Sequence, residues 1–166
     1  IVRGLGLVPR SARKPASAAL PPVSPRRLRI LLAEDTAAGR LFATDVLQER
    51  GHIVQTAENG CQAFELVRDQ DFDVVLMDVQ MPVMDGFQTT AAIRALPDPA
   101  KSQLPIVAMT AHAMRRDEQR CLTAGMNAYL AKPLRSRLLI ETVERLAESR
   151  PSTPPVDSPD SPIADR

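Results

Sequence analysis

The stretch from Phe72 to Gly86 reads FDVVLMDVQMPVMDG. Its apolar run, Val74 to Met77, is typical of a strand that is buried on both faces of a parallel sheet. Asp78 stands where this strand should end, and Pro82 and Gly86 mark the following residues as a shaped loop. A carboxylate in this position could be a nucleophile, a metal ligand or a helix cap. The rest of the chain has to decide among these three.

The distribution of proline and aromatic residues divides the chain into a central domain and two flanks. Of the 15 prolines in the 166 residues, five lie in residues 1–27 and five in residues 149–166. All five aromatic residues lie between those flanks. We therefore predict one globular domain over residues 28–148, a basic, proline-rich linker over 1–27 and a Pro/Ser/Asp-rich tail over 149–166. Both flanks are expected to be disordered because they cannot bury enough apolar surface to fold.

Charge and cysteine content limit the kinds of partner and compartment. The formal net charge of +1 argues against a strongly electrostatic partner for the whole chain. The first 27 residues carry six Arg or Lys and no acid, which we interpret as a solvated linker, with an arm that binds nucleic acid or anionic lipid as the alternative. Cys61 and Cys121 have no metal-binding neighbours and are expected to be reduced core residues.

No apolar run approaches the roughly 20 residues needed to span a bilayer, so no membrane segment is expected in this stretch. We expect a cytoplasmic domain, whether or not the parent protein is anchored to a membrane. The chain begins with Ile1 and lacks the pattern of a signal peptide, which suggests a segment of a longer polypeptide.

Strand-like and helix-like segments alternate five times over the central region. The strands are predicted at 28–33, 52–57, 72–77, 104–109 and 127–131, and the last three helices at about 84–96, 114–124 and 134–148. Thr36 and Asn59 are predicted to cap the first two helices. Because eight such units would be needed for a barrel, we predict an α/β fold of the flavodoxin-like, doubly wound (βα)5 type, with five parallel strands in the order 2-1-3-4-5.

Polar residues that could share one site follow the first, third, fourth and fifth of these strands. In the predicted sheet Glu34 and Asp35 come to lie beside Asp78, and three adjacent carboxylates are best explained by a hard cation such as Mg²⁺ among them. Thr110 and Lys132 bring a hydroxyl and an ammonium group to the same edge. A metal, a lysine and a hydroxyl beside a carboxylate form a site for a phosphoryl group, with Asp78 as the nucleophile.

The residues at this edge resemble the receiver domain of two-component response regulators. Four motifs match in order and spacing: Glu34-Asp35, Met77 to Gly86, Met109-Thr110-Ala111 and Tyr129 to Pro133. The resemblance covers about residues 28–148. The acidic pair, Gln80 and the Thr110 to Ala113 segment are most similar to receivers attached to hybrid sensor histidine kinases.

This resemblance implies how the site binds its metal and its phosphoryl group. Asp78 is expected to accept a phosphoryl group from a histidine of a histidine kinase or histidine phosphotransfer domain. The metal, Mg²⁺ or alternatively Mn²⁺, is expected to be held by Asp35, Asp78 and the backbone carbonyl of Gln80, and by Glu34 through water. Lys132, followed by a cis bond to Pro133, is expected to contact the phosphoryl group.

The resemblance also implies a conformational response. Thr110 is expected to move towards the phosphoryl group and the ring of Tyr129 to swing inward after it. Two residues are implied to tune the lifetime of the phosphoryl group: Gln80 and His112.

Alternative functions remain open at this stage. We expect this domain to be the C-terminal receiver of a hybrid sensor histidine kinase, because the 18 residues after Glu148 are too few for a DNA-binding output domain. It is expected to act as a phosphoacceptor rather than as a turnover enzyme. A stand-alone single-domain response regulator is the first alternative. A Mg²⁺-dependent aspartyl-phosphate hydrolase would need a second acid or base where Gln80 stands. A pure binding module would have lost Asp78, Lys132 or the acidic pair. The sequence does not determine the oligomeric state.

Overall fold

The apolar run of Val74 to Met77 lies in the central strand of a five-stranded parallel sheet. The computed structural model describes residues 26–111 and 115–149. The strands are β1 Arg29–Ala33, β2 Ile53–Ala57, β3 Val74–Asp78, β4 Ile106–Thr110 and β5 Ala128–Ala131. Their order is β2-β1-β3-β4-β5, and every neighbouring pair is parallel. The predicted α/β fold and strand order are confirmed. Most of the two predicted flanks lies outside the described residues.

Within the described ranges, five helices lie between successive strands and a sixth follows β5. They are α1 Ala37–Glu49, α2 Gly60–Asp69, α3 Gly86–Arg94, α4 Pro99–Ser102, α5 Arg115–Thr123 and α6 Ser136–Glu148. The two predicted caps are confirmed. The Thr36 side chain accepts a hydrogen bond from the backbone N–H of Gly39, and the Asn59 side chain accepts one from the backbone N–H of Gln62. None of these helices is both long enough and apolar enough to cross a membrane.

Helix α3 begins two residues later than predicted, and α4 was not predicted at all. The Asp85 side chain accepts a hydrogen bond from the backbone N–H of Gln88, whose own side chain bonds back to the Asp85 N–H. This reciprocal capping box ends the loop at Asp85 and starts the helix at Gly86. Asp98 caps α4, with Pro99 in the first turn, so a short helix starts at these residues.

The core lies on both faces of the sheet. All five residues of β3 and all five of β4 are buried. Because side chains alternate along a strand, Val75 and Met77 pack in one apolar cluster and Val74 and Leu76 in the other. The strands are therefore rigidly held, and their carboxyl ends form a fixed edge.

Two smaller expectations need correction. Cys121 is buried as predicted, but Cys61 is exposed on α2, because it lies on the side of the helix that faces away from the sheet. Sequence reasoning found no partner for His52, yet its ring is buried, with Nε2 3.3 Å from Oε1 of Glu144. Burial lowers the pKa of His52. Arg50 also binds Glu144, so these three residues join the connection between α1 and β2 to α6, at the edge of the sheet opposite the candidate site.

Candidate functional site

Three carboxylates meet at the carboxyl ends of β1 and β3. The register of these strands pairs Ala33 with Met77, which places the following residues, Glu34 and Asp78, side by side. One carboxylate oxygen from each of Glu34, Asp35 and Asp78 lies within 4.8 Å of the others. Glu34 is 1% exposed and Asp78 4%, whereas Asp35 is exposed. The structure thus brings together the three acidic residues that the sequence predicted as neighbours.

Lys132 bridges the two buried carboxylates. Its Nζ lies 2.7 Å from Oδ2 of Asp78 and 2.7 Å from Oε2 of Glu34. Its position follows from β5: the Lys132 backbone N–H donates to the Thr110 carbonyl at 2.8 Å, and the bond to Pro133 is cis, as the resemblance implied. A single ammonium group is therefore shared between two buried acids.

The pKa values of Asp78 and Lys132 are both shifted by burial and by the charges within the cluster. Burial raises the pKa of Asp78, helped by the charge of Glu34 and opposed by hydrogen bonds from Lys132 and from the backbone N–H of Gln80. Burial acts to lower the pKa of Lys132, but hydrogen bonds and attraction from Asp78 and Glu34 outweigh it, so that pKa is raised. One lysine does not compensate two buried carboxylates, and the site retains an excess of negative charge.

The donor set of this cluster fits a hard divalent cation. Oε1 of Glu34 accepts a hydrogen bond from the Thr36 hydroxyl at 2.5 Å. Its Oε2 is buried and lies 2.7 Å from Nζ of Lys132, the same ammonium group that pairs with Asp78. Among the described residues, neither histidine nor cysteine belongs to the cluster. Buried oxygen ligands with free lone pairs and excess negative charge suit Mg²⁺ better than a softer metal.

The backbone of Gln80 lies against Asp78. The Gln80 N–H donates to Oδ1 of Asp78 at 3.0 Å, while the Gln80 side chain is exposed. This places the Gln80 peptide next to the carboxylate cluster. That its carbonyl binds the metal stays a prediction.

The loop after β3 is closely packed at both ends. The Gly86 N–H donates to the Val79 carbonyl at 3.1 Å, and a Cβ at Gly86 would lie 2.4 Å from the carbonyl oxygen of Asp78, so only glycine fits there. At its tip Val83 has φ of 70°, and the Met84 N–H donates to the Pro82 carbonyl at 2.8 Å, which is a γ-turn. This left-handed valine was not foreseen, because the residue type favours extended backbone.

The two predicted switch residues lie at different heights on the sheet. Thr110, the last residue of β4, is buried and lies one residue beyond Met109, the neighbour of Asp78. Tyr129 on β5 pairs with Ala108, which precedes Thr110 by two residues on β4, and Tyr129 is half-buried. The charge of Glu118 on α5 is the main cause that raises the pKa of Tyr129. The predicted lifetime residue His112 lies outside the described residues.

Sequence reasoning missed Arg40, which reaches from α1 to the loop that carries the acidic pair. No signal in the sequence marks it, because an arginine in the first turns of a helix is an ordinary surface residue.

Comparison with known proteins identifies the family of this fold and site. Residues 30–144 match the response regulator receiver domain. The chain therefore belongs to the receiver domain family of two-component signalling.

Similar curated proteins are sensor kinases that are much longer than this chain. The sensor protein GacS of Pseudomonas syringae pv. syringae is 43% identical over 138 residues, which cover 82% of this chain and 15% of that protein. Hybrid signal transduction histidine kinase B of Dictyostelium discoideum is 39% identical over 127 residues, which cover 70% of this chain and 6% of that protein. The chain thus spans about one seventh or less of these relatives.

Similar solved structures are receiver domains. The receiver domain of sensor histidine kinase PA1611 from Pseudomonas aeruginosa PAO1, which has a magnesium ion coordinated in its active site cleft, is 36% identical with a TM-score of 0.68. The match covers 74% of this chain and 99% of that one. The chemotaxis response regulator CheY4 of Vibrio cholerae is 29% identical with a TM-score of 0.68, covering 73% of this chain and 99% of that one.

Proposed function

We propose that this domain accepts a phosphoryl group on Asp78 from a phosphohistidine and that it is a receiver module of a hybrid sensor histidine kinase. One observation carries the proposal: Lys132 Nζ lies 2.7 Å from carboxylate oxygens of both Asp78 and Glu34, within a cluster of three acids. An ammonium group held beside a carboxylate at the open edge of a rigid sheet is arranged to receive an anionic group there.

The chemistry is a displacement at phosphorus. A carboxylate oxygen of Asp78 forms the new bond to phosphorus as the P–N bond of the phosphohistidine breaks, with its electron pair returning to the imidazole nitrogen. Lys132 then pairs with a phosphoryl oxygen and gives up part of its contact with the carboxylates. Bound Mg²⁺ supplies positive charge that neutralises the phosphoryl oxygens during transfer.

We assign the metal-binding roles to Asp35, Asp78 and the backbone carbonyl of Gln80, with Glu34 acting through water. Mg²⁺ is the expected ion and Mn²⁺ the alternative. Oxygen atoms of the three acids lie within 4.8 Å of one another beside a single lysine, and this donor set supports the assignment. The magnesium reported in the cleft of the similar PA1611 receiver domain agrees with it.

Phosphorylation is proposed to shift an equilibrium between two conformations. Thr110 would move to the phosphoryl group, which opens space for the ring of Tyr129 to turn inward and away from Glu118. Gln80 and His112 are proposed to modulate hydrolysis of the phosphoryl group. The phosphodonor would be a histidine kinase or a histidine phosphotransfer domain.

The similar sensor and hybrid kinases, of which the chain spans only a small part, support a parent protein of that class. Within such a protein, we propose that this domain is the C-terminal receiver. A stand-alone response regulator is the alternative. Two free thiols, Cys61 and Cys121, suit a cytoplasmic location. The hydrolase alternative has no support at the site, because the residue two positions after Asp78 is an exposed glutamine.

The test is chemical labelling of the chain with a small-molecule phosphodonor in Mg²⁺, followed by intact-mass measurement. The wild type should gain one phosphoryl group, and both Asp78→Asn and chelation of the metal should abolish the gain. Asp85→Asn is the matched control: Asp85 caps α3, asparagine caps equally well, and labelling should be unchanged. Undiminished labelling of Asp78→Asn would overturn the proposal, and repeated turnover on a phosphomonoester would favour the hydrolase.

A further inference from the structure

Arg40 on α1 holds the loop that carries the acidic pair. Its Nη1 donates to the backbone carbonyl of Glu34 at 2.8 Å and to that of Asp35 at 2.9 Å. Its Nη2 donates to Oε1 of Glu58 at 2.9 Å, just beyond the end of β2. The Arg40 side chain is only 19% exposed, so its guanidinium group is largely removed from water. The loop between β1 and α1 is thereby tied to the neighbouring strand.

The Asp35 side chain depends on this loop for its position. Among the residues in 26–111 and 115–149, none is seen to donate a hydrogen bond to its carboxylate, and the residue is exposed. Glu34, by contrast, is buried and held by Thr36 and Lys132. Where Asp35 places its carboxylate is therefore decided by its backbone, and Arg40 holds the carbonyl of that same residue.

We propose that Arg40 is a positioning residue for the metal site, which aligns Asp35 with Asp78 through the backbone of the loop. The inference rests on the metal site proposed above. Groups that orient metal ligands typically change metal affinity by about 10- to 100-fold when they are removed. Glu58 is 65% exposed, so its ion pair with Arg40 orients the guanidinium group and contributes little energy of its own.

The direction in which Mg²⁺ affinity changes when Arg40 is replaced distinguishes a positioning role from a purely electrostatic one. Arg40 is a cation near a cluster of carboxylates, so loss of its charge alone would strengthen Mg²⁺ binding. Loss of its two bonds to the loop would instead weaken Mg²⁺ binding. Arg40→Met removes both the charge and the bonds, whereas Arg40→Lys keeps the charge and loses the planar fork that reaches two carbonyls at once.

The experiment is calorimetric titration of Mg²⁺ into the chain at constant pH and ionic strength. We expect the Kd of Arg40→Met to rise about tenfold over the wild type and that of Arg40→Lys to rise by a smaller factor. Should Arg40→Met not fold, Arg40→Lys decides the question by the same criterion. A Kd equal to or below that of the wild type would overturn the role of Arg40.

Arg94→Met is the matched control. Arg94 also donates to backbone carbonyls, those of Ser102, Leu104 and Gly125, but at the opposite edge of the sheet. Its loss should reduce the free energy of unfolding and leave the Kd for Mg²⁺ unchanged. An equal rise of Kd in Arg94→Met would show general loosening of the fold and overturn the proposal. If the wild type does not bind Mg²⁺, the metal site proposed above is itself contradicted, and not only the role of Arg40.

Discussion

Lys132 Nζ lies at the same distance, 2.7 Å, from Oδ2 of Asp78 and from Oε2 of Glu34. Both acids are almost fully buried, and the lysine side chain is 27% exposed. One cation therefore serves two anions, and in the metal-free protein the site stores unfavourable electrostatic energy. The stability of the fold and the affinity of the site for cations are coupled through these three side chains.

Asp78→Asn should stabilise the metal-free protein. Burial raises the pKa of Asp78, so the folded protein binds this proton more tightly than the unfolded chain does, and stability falls as pH rises from about 4 through the folded pKa. We expect a gain of about 1 kcal/mol at pH 7, where Lys132 is left with Glu34 alone. Urea unfolding in a chelator at pH 7 and near pH 4 measures it. The gain should shrink at the lower pH, and an Asp78→Asn protein less stable than the wild type at pH 7 would contradict the prediction.

Lys132→Met should have the opposite effect, because it leaves two buried carboxylates without their cation. We expect a loss of about 2 kcal/mol in the free energy of unfolding without metal, less than for a fully buried pair because the lysine is partly solvated. Saturating Mg²⁺ should recover part of this loss, since its charge acts on the same carboxylates. Lys101→Met is the control, because Lys101 donates to the backbone carbonyls of Val67 and Gln70. Mg²⁺ should not restore the free energy of unfolding that this variant loses. Equal recovery of both variants would argue against a metal at the site.

Val83→Gly should stabilise the loop that follows Asp78. Val83 adopts φ of 70° while 84% of its surface is exposed, so it has backbone strain and few contacts in return. Glycine removes the cost of a positive φ, which is about 1–2 kcal/mol for a residue with a Cβ. Glycine also has more conformational freedom in the unfolded chain, which offsets part of this stabilisation, so we expect the free energy of unfolding to rise by about 0.5–1 kcal/mol.

Gly51→Ala is the reverse experiment for this effect. Gly51 has φ of 86°, and a Cβ there would meet no atom within 4 Å, so backbone conformation alone should cost about 1 kcal/mol. Thermal or urea unfolding of both variants gives the comparison. The same direction of change in both would show that φ is not the cause.

Tyr129 should report the influence of the Glu118 charge directly, because it is the only tyrosine and the chain has no tryptophan. The charge of Glu118 is the main cause that raises the pKa of the Tyr129 phenol, so Glu118→Gln should make the phenol ionise at lower pH. Ultraviolet absorbance during a pH titration of the folded protein measures this. Glu141→Gln, which removes the charge that pairs with Arg137 on α6, should leave the titration unchanged. An unchanged titration in Glu118→Gln would mean that the charge of that carboxylate does not act on the tyrosine.

The sequence by itself determined the α/β fold, the strand order and the residues that gather at the carboxyl edge. Buried parallel strands are recognisable as short apolar runs, and they all end at one edge of the sheet. Residues at or directly after the carboxyl ends of β1, β3 and β5, such as Glu34, Asp78 and Lys132, must therefore meet. The caps at Thr36 and Asn59 were predictable for a similar reason, since a helix cap depends only on residues near it in the chain.

Only the tertiary structure decided which partners these residues use. Arg50 and Glu144 are 94 residues apart, and the contact of Arg40 with Glu58 joins a helix to the end of another strand. Hydrophobic periodicity specifies which face of an element is buried, but it carries no information about which charged side chain on one element reaches a carbonyl or a carboxylate on another. Those contacts depend on the packed positions of whole helices. For this reason the acids and the lysine of the site were predictable, whereas the arginine that holds their loop was not.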